Sequence, residues 1–115
     1  MSALVAYKVL TGEQMARLEA DGVFEGAPVD LADGYIHLST AEQLDATVTK
    51  HFAGLDDLHI AAVDLEALAE AVKWESSRGG ALFPHIYAPL PLSAVTAYSP
   101  LVRDEDGHVR LPVTG

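Results

Sequence analysis

Glycine and proline punctuate this chain and leave no uninterrupted stretch longer than 24 residues. Gly22, Gly26-Ala27-Pro28, Gly34, Gly54, Gly79-Gly80, Pro89, Pro91 and Gly107 each interrupt the pattern. What lies between them alternates in kind. Leu4 to Leu10 reads as a first strand. Thr11 followed by Gln14 has capping-box spacing, which predicts a helix over Gly12 to Ala20, ended by Gly22. Tyr35-Ile36-His37-Leu38-Ser39 alternates with period two after the Asp33-Gly34 turn, so Ile36 and Leu38 share one face and Tyr35, His37 and Ser39 the other. Ser39 and Glu42 repeat the capping spacing and predict a helix from Thr40 to Phe52, with Leu44, Val48 and Phe52 as its buried stripe. Leu58 to Leu65, Val72 to Glu75, Phe83 to Tyr87, Val95 to Val102 and Val109 to Leu111 read as strands, and Asp64 as the cap of a short helix through Ala69. Strands and helices follow one another without regular βαβ alternation. The expected class is therefore α+β, with a mostly antiparallel or mixed sheet.

The 115 residues fit one domain spanning 1–115, and with 50% hydrophobic residues a core can form without staples. The sequence has no cysteine, which excludes disulfides, thiolate metal sites and a thiol nucleophile. Seventeen acidic residues against seven basic ones leave a formal charge of −10. The bases are scattered, whereas general nucleic-acid binding needs clustered Lys and Arg. No apolar run approaches the ~20 residues of a membrane span, and Met1 to Leu10 does not read as a signal peptide. The expectation is a cytoplasmic protein with a small-molecule partner, no membrane and no general nucleic-acid partner; the oligomeric state is open.

Three segments concentrate chemistry. In the first, His37 and Ser39 share a strand face just before a helix start. An imidazole there could shuttle a proton near neutral pH, and Ser39, Thr40 and the helix amides could hold an anion. The plainer role for Ser39 is a cap, and for His37 a satisfied half-buried ring. The second is Trp74-Glu75-Ser76-Ser77-Arg78-Gly79-Gly80, where Arg78 is placed to grip a phosphate or carboxylate and glycines permit close backbone approach. It matches neither a P-loop nor a dinucleotide fingerprint, and a surface turn with Glu75 and Arg78 paired would also explain it. In the third, Phe83-Pro84-His85-Ile86-Tyr87, His85 and Tyr87 alternate onto one face, where Tyr87 could stack on a flat ring. His51, His59 and His108 have no metal-ligand spacing, so no metal is expected.

Taken in order, Asp33 to Thr40, Trp74 to Gly80 and Phe83 to Tyr87, with Pro89-Leu90-Pro91-Leu92, resemble the domain of unknown function 952 family over roughly Tyr7 to Tyr98. That family is grouped with the ADP-ribosyltransferase fold. The middle of the chain is also similar to the NAD-dependent RNA 2′-phosphotransferases, which share a His-Leu-Ser strand, a helix, and a strand ending in an acid. The resemblance implies a split β-sheet domain with two or three short helices and an NAD-type cleft between two sheets. It implies NAD as the cofactor, His37 against the ligand, His85 and Tyr87 near a third motif, and Tyr7 and Lys8 on a first.

These readings lead to an uncharacterised nucleotide-binding domain for NAD or ADP-ribose, with an NAD-dependent transferase activity in view. Its candidate catalytic residues are His37, His85 and Glu75. Its candidate ligand contacts are Tyr7, Lys8, Ser39, Thr40, Trp74, Ser76, Arg78 and Tyr87. Transferases of that fold often carry a glutamate where this chain has Pro84-His85, so one alternative is a catalytically inert small-ligand sensor. Another is a histidine acid–base enzyme acting on a small metabolite.

Overall fold

The apolar run near the N-terminus forms strand β1 (Val5–Thr11) in the computed structural model, which describes residues 4–76 and 80–112. Thr11 both ends the strand and starts helix α1 (Gly12–Asp21). Its hydroxyl accepts from Gln14 N at 3.1 Å, and the Gln14 side chain accepts from Thr11 N at 3.0 Å. The pair satisfies two amides that the start of a helix leaves without partners. Gly22 closes the helix at φ 75°, where a Cβ would be strained, and donates its N–H to Leu18 O.

In chain order there follow β2 (Val23–Phe24), α2 (Pro28–Asp33), β3 (Ile36–His37), α3 (Leu44–His51), β4 (Leu58–Asp64), α4 (Leu65–Leu68), β5 (Val72–Ser76), β6 (Leu82–Ile86), β7 (Leu90–Pro91) and β8 (Val95–Pro100). One sheet has the order β1-β4-β8, a second β3-β6-β5, and β2 pairs with β7. Every strand pairing among the described residues is antiparallel, as the irregular alternation predicted. Among the described residues the two three-stranded sheets meet at one reciprocal bridge: Tyr7 N donates to Ser39 O at 2.8 Å, and Ser39 N to Tyr7 O at 2.9 Å.

Period two divides β1 and β4 between two cores. Ala6, Leu10, Ala61 and Val63 pack with Met15 and Leu18 of α1 and with Ile36, Leu38 and Ile86 of the second sheet. Val9, Leu58 and Ile60 point the other way and pack with Leu44 and Val48 of α3. Ile60 through Val63 are all fully buried, as the middle strand of a sheet covered on both faces requires. Each such Leu or Ile stabilises the fold by about 2 kcal/mol. Lys8 lies between Ala6 and Leu10 on the first of these faces, so its side chain is carried into the interior.

The structure corrects several boundaries. α2 was not foreseen: Gly26-Ala27-Pro28 reads as a break, yet Pro28 is the first residue of a helix. There are thus four short α-helices among the described residues rather than two or three. α3 begins at Leu44, not Thr40, and Ser39 is not its cap. The Ser39 hydroxyl instead meets Thr47 Oγ1 at 2.7 Å, while Thr40 and Gln43 exchange bonds across the turn before the helix. The last expected strand is reduced to one bridge, Arg103 with Val109. No described helix is long and apolar enough to cross a membrane.

Candidate functional site

The site grows from the helix that the sequence concealed. Pro28 at the first position presets φ for α2, and Asp30 two residues later turns its carboxylate back onto Ala27 N at 2.8 Å. That places Asp30 in the interior, at 1% exposure. There it faces Lys8, itself 5% exposed, whose ammonium donates to Asp30 Oδ2 at 3.0 Å, to Oδ1 at 3.3 Å, and to the carbonyl of His37 at 3.1 Å. His37 supplies two more donors to Asp30 Oδ1, its own N–H at 3.1 Å and ring Nδ1 at 2.6 Å. Burial alone would raise the Asp30 carboxyl. The Lys8 charge and the bonds from His37, Ala27 and Lys8 together outweigh it and hold Asp30 below the usual carboxylate range. Burial pulls the Lys8 ammonium below its ordinary value, with Asp30 opposing.

A carboxylate only accepts, so in the bond to Asp30 it is Nδ1 of His37 that donates, and Nε2 is the ring nitrogen turned toward Asp33. The side chain is 33% exposed, and Nε2 lies 3.0 Å from Oδ2 of Asp33, at the end of α2. His37 therefore sits between two carboxylates, one buried and balanced by Lys8, the other on the surface.

His85 repeats the arrangement next door. It is the direct cross-strand partner of His37 in the β3–β6 pairing. Its Nδ1 meets Glu75 Oε1 at 2.8 Å, and the Tyr87 hydroxyl donates to the same oxygen at 2.7 Å. Those two bonds hold the Glu75 carboxyl below its ordinary range, and Glu75 in turn pushes the Tyr87 phenol up to about 12. Unlike His37, His85 is only 4% exposed. Tyr35 stacks over it, centroids 4.1 Å apart and planes at 24°, and also lies 4.7 Å from His37 and 5.2 Å from Tyr87. The two imidazoles stand 5.3 Å apart at 71°.

Beside this cluster opens a cleft of about 280 Å³, bordered by Tyr35, Tyr87, Gly34, Pro89, Asp30 and Glu25. It offers two phenol rings, apolar surface and acidic groups. His37 is not one of its lining residues, but its ring lies 4.7 Å from that of Tyr35, which is. No group of three or more His, Cys, Asp or Glu among the described residues could hold a metal ion.

Of the residues singled out in the sequence, the structure brings together His37, His85, Glu75 and Tyr87, with Lys8 beneath them. Lys8 reaches no ligand surface, because its ammonium ends on Asp30 and the His37 carbonyl. Tyr7 points to the opposite face of β1 and packs against the second core. Ser39 is buried against Thr47, Thr40 serves the turn before α3, and Trp74 packs on the main core. Ser76 is exposed at the end of β5, and Arg78 lies outside the described residues. Sequence reasoning missed Asp30 and gave Tyr35 no role in the site. The signal for Asp30 was a proline six residues before the left-handed Gly34, the usual punctuation of a short helix.

Fold and site together define a small antiparallel α+β domain built around two adjacent carboxylate–histidine dyads. The chain belongs to the DUF952 family, proteins of unknown function, whose model matches residues 9–98. It is similar to protein CC0527 from Caulobacter crescentus in its crystal structure, at 48% identity and TM-score 0.84 over 93% of this chain and 94% of that one. The solution structure of the same protein agrees, at 48% identity and TM-score 0.80 over 95% and 94% of the two chains. No curated protein matches the chain.

Proposed function

We propose that the domain binds a small molecule carrying a flat ring, neutral or cationic, against Tyr35 and Tyr87, and that His37 exchanges a proton with it. The observation that carries this reading is the Asp30–His37 dyad: a partly exposed imidazole whose Nδ1 is tied to a buried carboxylate 2.6 Å away, at the margin of an aromatic cleft. Such a carboxylate fixes the ring's orientation and tautomer and stabilises the imidazolium when it forms. Among the described residues Glu25, Asp33 and Glu75 outnumber Lys73, whose ammonium lies 5.8 Å from the Tyr87 ring, and this balance favours a neutral or cationic ligand over a polyphosphate. His85, buried under Tyr35 and anchored by Glu75, supports the ring cluster from below.

A second reading is an NAD-class nucleotide, with the ADP-ribosyltransferase-like fold and a transferase activity. The observation in its favour is the division of the described strands into two three-stranded sheets, although the aromatic cleft is lined from α2 and the β3-β6 side rather than between the two sheets. In that reading the nicotinamide ring occupies the place described for the flat ring.

Calorimetric titration with nicotinamide, adenine, ADP-ribose and NAD separates these. The leading reading expects heat from at least one free ring, lost in Tyr35→Ala and pH-dependent through His37. Heat from ADP-ribose or NAD with none from the free rings favours the second reading. No heat from any of the four at millimolar concentration removes both.

A further inference from the structure

His37 has two carboxylates on its ring and one cation within reach of its own backbone. Asp30 holds Nδ1 at 2.6 Å, Asp33 lies 3.0 Å from Nε2, and Lys8 donates to both Asp30 oxygens and to the His37 carbonyl. Among the described residues the other titratable groups around the ring are His85 at 5.3 Å between centroids and Tyr35 at 4.7 Å, with Lys73 on the neighbouring strand opposite His85 and 5.8 Å from the Tyr87 ring. Glu75 and Tyr87 stand behind them, bonded to each other and to His85. Electrostatics then decide what His37 can do. With Asp30 and Asp33 both uncompensated, the doubly protonated ring would be the one species able to donate to both, and it would hold its second proton too firmly to act as a base. A cation seated against Asp30 removes one of those charges at the shortest range available.

We propose that Lys8 is a positioning residue of the His37 site: by balancing Asp30 it leaves the imidazole free to release the proton on Nε2. The inference rests on the reading of His37 as a proton-exchanging group, and it concerns this chain's own residues without need of the ligand. The placement of Lys8 supports it. A lysine inside a sheet face between Ala6 and Leu10 costs desolvation that a leucine would not, and replacing a buried ion pair by apolar residues is often neutral or stabilising. Stability alone therefore gives little reason for a charge at this position. A third bond from the ammonium to the His37 carbonyl ties it to the histidine as well as to the carboxylate. The same side chain thus sets both the charge under the ring and the position of the strand that bears it.

The test is an NMR titration of the His37 ring in the full chain, in the wild type, Lys8→Met, Lys8→Gln and Lys8→Arg. Gln retains a donor for Asp30 without the charge, so it serves if the Met variant does not fold. The midpoint of His37 is expected to rise by about one pH unit, tenfold in proton affinity, in Met or Gln and to return to the wild-type value in Arg. Removing both charges, in Lys8→Met with Asp30→Asn, is expected to bring it back down. An unchanged midpoint in a folded Met or Gln variant overturns the proposal, as does a midpoint still raised when both charges are gone. Failure of ligand binding in the calorimetric titrations would leave these midpoints unaffected, so the two readings fail separately.

Discussion

His37 and His85 face each other across the β3–β6 pairing with their rings 5.3 Å apart, and each gives Nδ1 to a carboxylate from a different element, Asp30 of α2 and Glu75 of β5. The dyads are alike in bonding and unlike in access. One ring is a third exposed; the other is sealed by Tyr35. The difference leaves the first ring open to solvent and packs the second inside the cluster.

Asp30→Asn leaves the Lys8 ammonium buried without its counter-charge. Breaking one side of a buried pair costs about 3–5 kcal/mol, so the variant should unfold at markedly lower denaturant concentration. Lys8→Met added to Asp30→Asn should recover a large part of that loss. Urea denaturation of both checks it; equal stability of single and double variants would show that the two side chains do not interact energetically.

The same pair sets an acid limb. The folded Asp30 carboxyl lies below its unfolded value, so between the two the unfolded chain binds more protons and stability rises with pH. The contribution is complete above about pH 4, the ordinary aspartate value, and is lost as pH falls through the lower folded one. Thermal melts from pH 5 down to pH 2 should show this decline, and the Asp30→Asn variant should show a shallower one.

Tyr87 should titrate at about 12, raised by its bond to Glu75. A phenol that keeps its proton in the folded state contributes stability below about pH 10, where the unfolded group also keeps it, and loses it as pH climbs to the folded value. In Glu75→Gln the NMR titration of Tyr87 should move to lower pH. An unmoved midpoint would mean that the hydroxyl and the carboxylate are not bonded in solution.

Tyr35→Ala should uncover His85. Chemical modification of histidine in the wild type is expected to mark His37 and spare His85, with His85 becoming reactive once the stacked ring is gone. Mass spectrometry of the modified peptides reads both sites. Equal protection of His85 in the variant would show that other residues shield it.

Beside the second core, Asp45 accepts from Val109 N and lies 2.8 Å from His108 Nδ1, pinning the 108–109 segment to α3. The bond and charge of Asp45 hold His108 above its ordinary value. Its contribution is therefore full below about pH 6.5 and fades as pH rises through the folded midpoint. Asp45→Asn should lower the His108 midpoint in an NMR titration and speed hydrogen exchange at the Val109 amide.

Local patterns made much of this legible. The alternation of Tyr35 through Ser39 put His37 on the same face as Tyr35, and the alternation of Phe83 through Tyr87 did the same for His85 and Tyr87. The Thr11–Gln14 capping pair formed as its spacing demanded. What stayed hidden depends on partners distant in the chain. Asp30 meets Lys8 across 22 residues, and nothing in Pro28-Val29-Asp30-Leu31 announces a buried charge. α2 was obscured because six residues are too few to display helical periodicity, and its proline resembles a break. Ser39 misled because capping spacing is common, whereas its real partner Thr47 becomes visible only once α3 has folded back over the strand.

The Tyr7–Ser39 bridge has a mechanical corollary. Tyr7 adjoins Lys8, and Ser39 stands two residues past His37, so the seam that fastens one sheet to the other also fastens the two halves of the Lys8–Asp30–His37 chain. Prying the sheets apart would pull the cation from beneath the imidazole before any wide mouth could open. The domain should thus behave as a bolted joint rather than a jaw.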